Sequence, residues 1–244
     1  MTTLVISPMR AVRARAQAFH HSITEEVICM RSRVRRFAAI LVLTCVGGTV
    51  VGVATGTPAA AACRQVDVVV ARGTGEPGTL GIIVGDPVYS ALGSRLGAAT
   101  LSSYRVDYPA DVSPGSASAG NRDLVEHVTE QAAACPSQRF ILVGYSQGAN
   151  VVDNSIGISS DGAAVGGPIV ATIPAAVAPR VAAILLFGNP IRAIGRSVTG
   201  PYASRTLDLC ADGDPVCGGG ANVLAHLSYY RNAPEAAAFA AERV

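Results

Sequence analysis

Short apolar runs and longer amphipathic stretches alternate along most of the chain. VDVVVA (66–71) is a β-branched run of the kind a buried strand requires. SYRVDY (103–108), FILVG (140–144), VAAILLFG (181–188) and SRTLDL (204–209) read as further strands. Residues 84–97 and 147–157 read as helices. A longer helix covers 116–134, where Leu124, Val128 and Ala132 fall on one face at i, i+4 and i+8. PEAAAFAAERV closes the chain with another helix. Strands alternating with helices predict a three-layer α/β fold, with a small, mostly parallel five-stranded sheet covered by helices on both faces. The functional crevice of such a sheet lies at the carboxyl ends of its strands. Glycine-bearing turns at 73, 144 and 188 follow strands there. Residues 157–180, rich in Gly, Ala and Pro, read as a surface excursion, and no linker divides the domain.

Charge changes the picture at the N-terminus. All 19 basic residues are Arg, and seven of them lie in the first 36 positions. From Cys63 onward there are 12 Arg against 15 Asp and Glu, a net charge of −3, with no basic run. Nucleic-acid binding is therefore not expected. Residues 30–62 place four arginines ahead of an apolar run from Phe37 to Val53, followed by small residues. That is the layout of a secretory signal peptide, with residues 1–29 as an overlong extension and 63–244 as the exported domain. The competing reading, a membrane anchor, is disfavoured by a short apolar stretch broken at Gly47 and Gly48. Four cysteines remain in the domain: Cys63, Cys135, Cys210 and Cys217. In an exported protein they imply two disulfides, with three possible connectivities. A zinc site lacks any C-x-x-C pair.

Two motifs compete for the chemistry. GTGEPG (73–78) follows a strand and matches the dinucleotide-binding fingerprint, but no acidic residue closes a second strand about 20 residues on. Gly144-Tyr145-Ser146-Gln147-Gly148 also ends a strand and opens a helix, as a nucleophile elbow does. The helix N-terminus adds partial positive charge where an oxyanion would form. A serine needs a base. Only His127 and His226 lie in the domain. His127, beside Glu126 on the long helix, reads as a solvated surface residue. His226 follows the serine in the order this fold class uses. Between them Asp208, Asp212 and Asp214 offer an acid to orient the imidazole, in and beside a loop whose D-G and D-P steps are also turn formers.

ARGTGE after the first strand, GYSQG at the elbow, the loop CADGDPVC and the downstream AHLSY together resemble the cutinase family, most of all its exported actinobacterial, mycobacterial-type esterases. The resemblance spans residues 63–243. It implies an α/β-hydrolase-type fold with Ser146 as nucleophile, Asp214 as acid and His226 as base. The oxyanion hole would use the backbone N–H groups of Thr74 and Gln147, with Thr74 standing where fungal members carry Ser. The disulfides implied are Cys63–Cys135 and Cys210–Cys217.

The function expected is a secreted esterase, extracellular or associated with the cell wall, that splits short- or medium-chain acyl, lipid or polyester esters through an acyl-enzyme. It would need no cofactor or metal, work as a monomer and touch a lipid surface or cell envelope only loosely. The alternative is a catalytically silent secreted protein that binds lipid or a surface.

Overall fold

The computed structural model describes residues 63–244. The extension and signal segment expected over 1–62 lie outside the described residues. Five strands form the sheet: β1 (Val66–Ala71), β2 (Leu101–Arg105), β3 (Arg139–Tyr145), β4 (Val181–Phe187) and β5 (Thr206–Leu209). Their order is β2-β1-β3-β4-β5, and every adjacent pair is parallel. The helices are α1 (Gly85–Leu96), α2 (Ser116–Ala134), α3 (Gln147–Ser155), the single turn α4 (Val223–His226) and α5 (Ala233–Ala241).

The strands alternate in two, so each supplies both faces of the sheet. Val66, Val68 and Val70 of β1 pack with Leu92 of α1 and with Ala236, Ala237 and Ala240 of α5. Val69 and Ala71 pack on the opposite face with Leu124 and Val128 of α2 and Val151 and Val152 of α3. The resulting architecture is a three-layer α/β-hydrolase fold.

Several boundaries moved. The second strand runs over 101–105 rather than 103–108, because the buried Leu101 opens the pairing opposite Val66. The last strand starts only at Thr206, since Gly200–Arg205 form a 3-10 turn. Residues 157–180 are more than a surface excursion. Asn154 Nδ2 donates to the Gly167 carbonyl at 3.0 Å and Asn121 Nδ2 to that of Ala171 at 2.9 Å, while Ser160 and Ile173 are buried.

His127 is likewise not a solvated surface residue. Its Nε2 lies 2.7 Å from Asp67 Oδ2, and its ring stacks on Tyr104 with centroids 3.6 Å apart. The reason is visible in VDVVVA. Asp67 occupies a buried strand position on the α2 side, and a carboxylate there needs partners. His127 and the Ser102 hydroxyl, 2.6 Å from Oδ1, supply them.

Candidate active site

Segments that follow the carboxyl ends of β1, β3 and β5 bring Thr74, Ser146, Asp214 and His226 together at one end of the sheet. Between β3 and α3 stands Ser146, at φ 54° and ψ −118°, a left-handed conformation that is strained for a residue with a side chain. The turn is possible because Gly148 lets the elbow cross the end of β1. A Cβ there would stand 1.9 Å from the Ala71 carbonyl oxygen. Ser146 N donates to the Phe187 carbonyl at 2.9 Å, which ties the elbow to β4.

The turn α4 presents His226. Ser146 Oγ lies 3.0 Å from His226 Nε2, and His226 Nδ1 lies 2.8 Å from Asp214 Oδ2. A proton on Nδ1 shared with the carboxylate leaves Nε2 free to accept from the serine. Asp214 is fully buried, and of the three candidate aspartates it is the one that reaches His226. Asp212 is exposed, and Asp208 faces Asn189 and Arg192. Burial by itself would raise the Asp214 pKa. Hydrogen bonds from Tyr229, His226 and the Val216 amide outweigh it and hold the carboxyl below its ordinary range.

Sequence reasoning gave no role to three further residues. Tyr229 OH donates to Asp214 Oδ2 at 2.6 Å and accepts from Ala211 N at 2.9 Å. Tyr145 OH donates to the His226 carbonyl at 2.8 Å. Both phenols are pushed up, first by burial. Glu76 lines the cleft beside Ser146. The signal for each was its place inside a motif: Tyr229 ends AHLSY, Tyr145 is the variable position of the elbow, and Glu76 ends ARGTGE.

Thr74 and Gln147 flank the serine. Thr74 Oγ1 donates to Gln147 Oε1 at 3.4 Å, while Gln147 Nε2 donates to the Asp111 carbonyl at 2.8 Å. Among the described residues neither the Thr74 nor the Gln147 amide has a protein acceptor. The cleft above holds about 350 Å³ and is walled by Thr74, Pro77, Ile83, Tyr145, His226 and Leu227. GTGEPG thus forms the edge of this cleft. Disulfides join Cys63 to Cys135 across the far end of the sheet and Cys210 to Cys217 around Asp214.

A parallel α/β sheet with serine, histidine and aspartate in register at its carboxyl ends belongs to the α/β-hydrolase class. Comparison with known proteins narrows this. The Cutinase family model matches residues 62–244, and the chain belongs to that family. It is 45% identical over 178 residues to a cutinase of Kineococcus radiotolerans, a match covering 71% of this chain and 58% of that protein's length. It is 38% identical to carboxylesterase Culp1 of Mycobacterium tuberculosis, covering 75% of this chain and 82% of that protein. Among solved structures, Trichoderma reesei cutinase in complex with a C11Y4 phosphonate inhibitor superposes with a TM-score of 0.60 at 34% identity, covering 74% of this chain and 76% of that one.

Proposed function

We propose that this protein is a serine esterase that hydrolyses carboxylic esters through an acyl-enzyme on Ser146. One observation carries the reading: the unbroken line from Ser146 Oγ through the His226 imidazole to the buried, partnered Asp214. Ser146 Oγ attacks the ester carbonyl as its proton passes to His226 Nε2. The oxyanion is received by the free amides of Thr74 and Gln147, at the N-terminus of α3. On collapse His226 Nε2 returns the proton to the departing alcohol, leaving the acyl group on Ser146. A water then gives a proton to the same nitrogen as its oxygen attacks the acyl carbonyl; on collapse that proton passes to Ser146 Oγ and the acid is released. Asp214 holds the imidazole in the required tautomer and balances its transient positive charge. Family membership and resemblance to proteins named cutinase and carboxylesterase support the reaction class.

A fluorophosphonate probe tests the assignment. It should label the wild-type protein at Ser146 and leave Ser146→Ala unlabelled and inactive. A protein that folds, resists the probe and hydrolyses nothing would favour the silent lipid- or surface-binding alternative.

The setting belongs to the same proposal. Residues 30–62 direct export and are removed, leaving a mature domain that begins near Ala62 or Cys63. The Arg-rich start of that segment and the two disulfides support this. Val223, Leu224 and Leu227, on and just after α4, are exposed, as is Ile82 beside the cleft-lining Ile83. That apolar rim supports loose contact with a lipid surface or cell envelope by a monomeric enzyme. Recovery of secreted protein with residues 1–29 still attached would refute the processing.

A further inference from the structure

Glu76 is a buried carboxylate that the reaction does not use. It is 7% exposed, and no cation pairs with it among the described residues. Retaining such a group is costly unless its oxygens are satisfied. They are, and by backbone: Oε2 accepts from Gly73 N at 2.8 Å and Oε1 from Ile83 N at 2.7 Å. One side chain therefore closes the base of the loop that runs from β1 toward α1. Room for it is made by Gly81, where a Cβ would stand 2.7 Å from Oε2.

This clamp acts next to the chemistry. Gly73 immediately precedes Thr74, and a Cβ on Gly73 would meet the ring of Tyr145, the residue before Ser146, at 2.6 Å. Three consecutive residues are thereby tied down. Gly73 N is held by Glu76, the Thr74 hydroxyl by Gln147 at 3.4 Å, and Gly75 N by the Ala110 carbonyl at 2.7 Å. The Thr74 amide between them is left free.

We propose that Glu76 is a positioning residue whose ionised carboxylate clamps the 73–83 loop and so fixes the Thr74 amide opposite Ser146. This rests on the reading of Ser146 as nucleophile and Thr74 N–H as an oxyanion donor. Both carboxylate oxygens accept only in the ionised form. Protonation turns one into a donor facing another donor, and the clamp opens. Burial pushes the Glu76 pKa up against the lowering by the Gly73, Ile83 and Val84 amides, and the charge on Asp86 adds to the rise. The titratable groups facing it are Asp86 on α1, Tyr145 on β3 and Tyr108 after β2, with Arg72 over the Tyr108 ring.

Glu76→Gln, which keeps the shape but opposes one amide with an NH2, tests this on a short-chain nitrophenyl ester. The expected result is a fall in kcat of ~10²-fold with KM within about threefold, because misplaced groups lose transition-state rather than ground-state interactions. The acid limb of log kcat/KM should be steeper than one proton in the wild type, because protonation also opens the clamp, and should stay at one in Glu76→Gln. An unchanged kcat, or a one-proton limb in both proteins, overturns the proposal. If Glu76→Gln gives no cooperative melt, the wild-type limb decides alone: one proton down to the acid unfolding limit is the overturning result. Wild-type protein that the fluorophosphonate does not label at Ser146 refutes the nucleophile reading instead, and the clamp falls with it.

Discussion

Asp214 and Asp153 are both completely buried, yet their surroundings are opposite. Asp214, in the short loop after β5, accepts from a tyrosine, an imidazole and a backbone amide, and its pKa is lowered. Asp153, near the end of α3, makes no well-formed hydrogen bond through either oxygen among the described residues, though the Asn189 side chain faces it. Burial, and then the charge of Asp208, push its pKa well up, with Asn189 only partly opposing. Burial alone therefore does not decide whether an interior carboxyl is charged; the donors that meet it do. The loop region sets a tyrosine, an imidazole and a backbone amide around one carboxylate, whereas at Asp153 only the Asn189 side chain opposes the effect of burial.

The largest effect should come from removing the charge that is held. Asp214→Asn puts an NH2 where the imidazole N–H must donate, and kcat should fall by ~10³–10⁴-fold with folding intact. Asp153→Asn should leave kcat within about twofold. Similar losses from both would erase the contrast.

Next come the disulfides, which divide along the same line. Opening the Cys63–Cys135 loop, 72 residues apart in sequence, restores unfolded-state entropy worth about 4 kcal/mol, against about 2.5 kcal/mol for the 7-residue separation of Cys210–Cys217. The long one should therefore dominate the melting temperature. The short one brackets Asp214, and its double Ser variant should lose activity at temperatures where the fold survives. Melting curves and specific activities of both double variants check this, and the reverse pattern would make the short bond merely structural.

A smaller effect concerns pH and stability. A folded-state pKa above the unfolded value means that Asp153 destabilises the fold increasingly as pH rises from about 4 through its raised pKa. Asp153→Asn should remove that penalty, raising stability by about 1–2 kcal/mol near neutrality and by little at pH 4. Asp214, with a lowered pKa, contributes stability above the ordinary carboxylate range that is lost as pH falls through its folded value. Chemical denaturation of Asp153→Asn and the wild type at both pH values measures the first; equal gains at both would contradict it.

The smallest change expected is in Tyr229→Phe. It deletes one of three donors to Asp214 and frees Ala211 N. We expect kcat down about tenfold, since one charge-assisted hydrogen bond is worth ~1.5 kcal/mol or more. Steady-state kinetics suffice, and an unaltered kcat would mean that the remaining two donors hold the carboxylate unaided.

Much of this was legible in the chain. The β-branched runs and the 3.6-residue spacing of Leu124, Val128 and Ala132 gave the layers and the parallel sheet, because apolar periodicity is a local property. Strand ends were less legible. Leu101 joins the sheet through a partner 35 positions away in sequence, and no local signal marks that. The setting of His127 is hidden for the same reason: its neighbour Glu126 is visible in sequence, whereas Asp67 meets it only where α2 packs on β1.

By itself, the sequence determined the order of elements, the elbow that displays Ser146, and a short list of residues able to act with it. Glycine content, hydrophobic period and chain order are all read within a few residues. Tertiary structure alone decided which of Asp208, Asp212 and Asp214 faces His226, that Tyr229 supports the chosen one, that Glu76 is buried among backbone amides, and that Asp153 is buried among none. Each of those depends on where groups far apart in sequence converge, and an ionisable side chain takes its charge from what surrounds it in space.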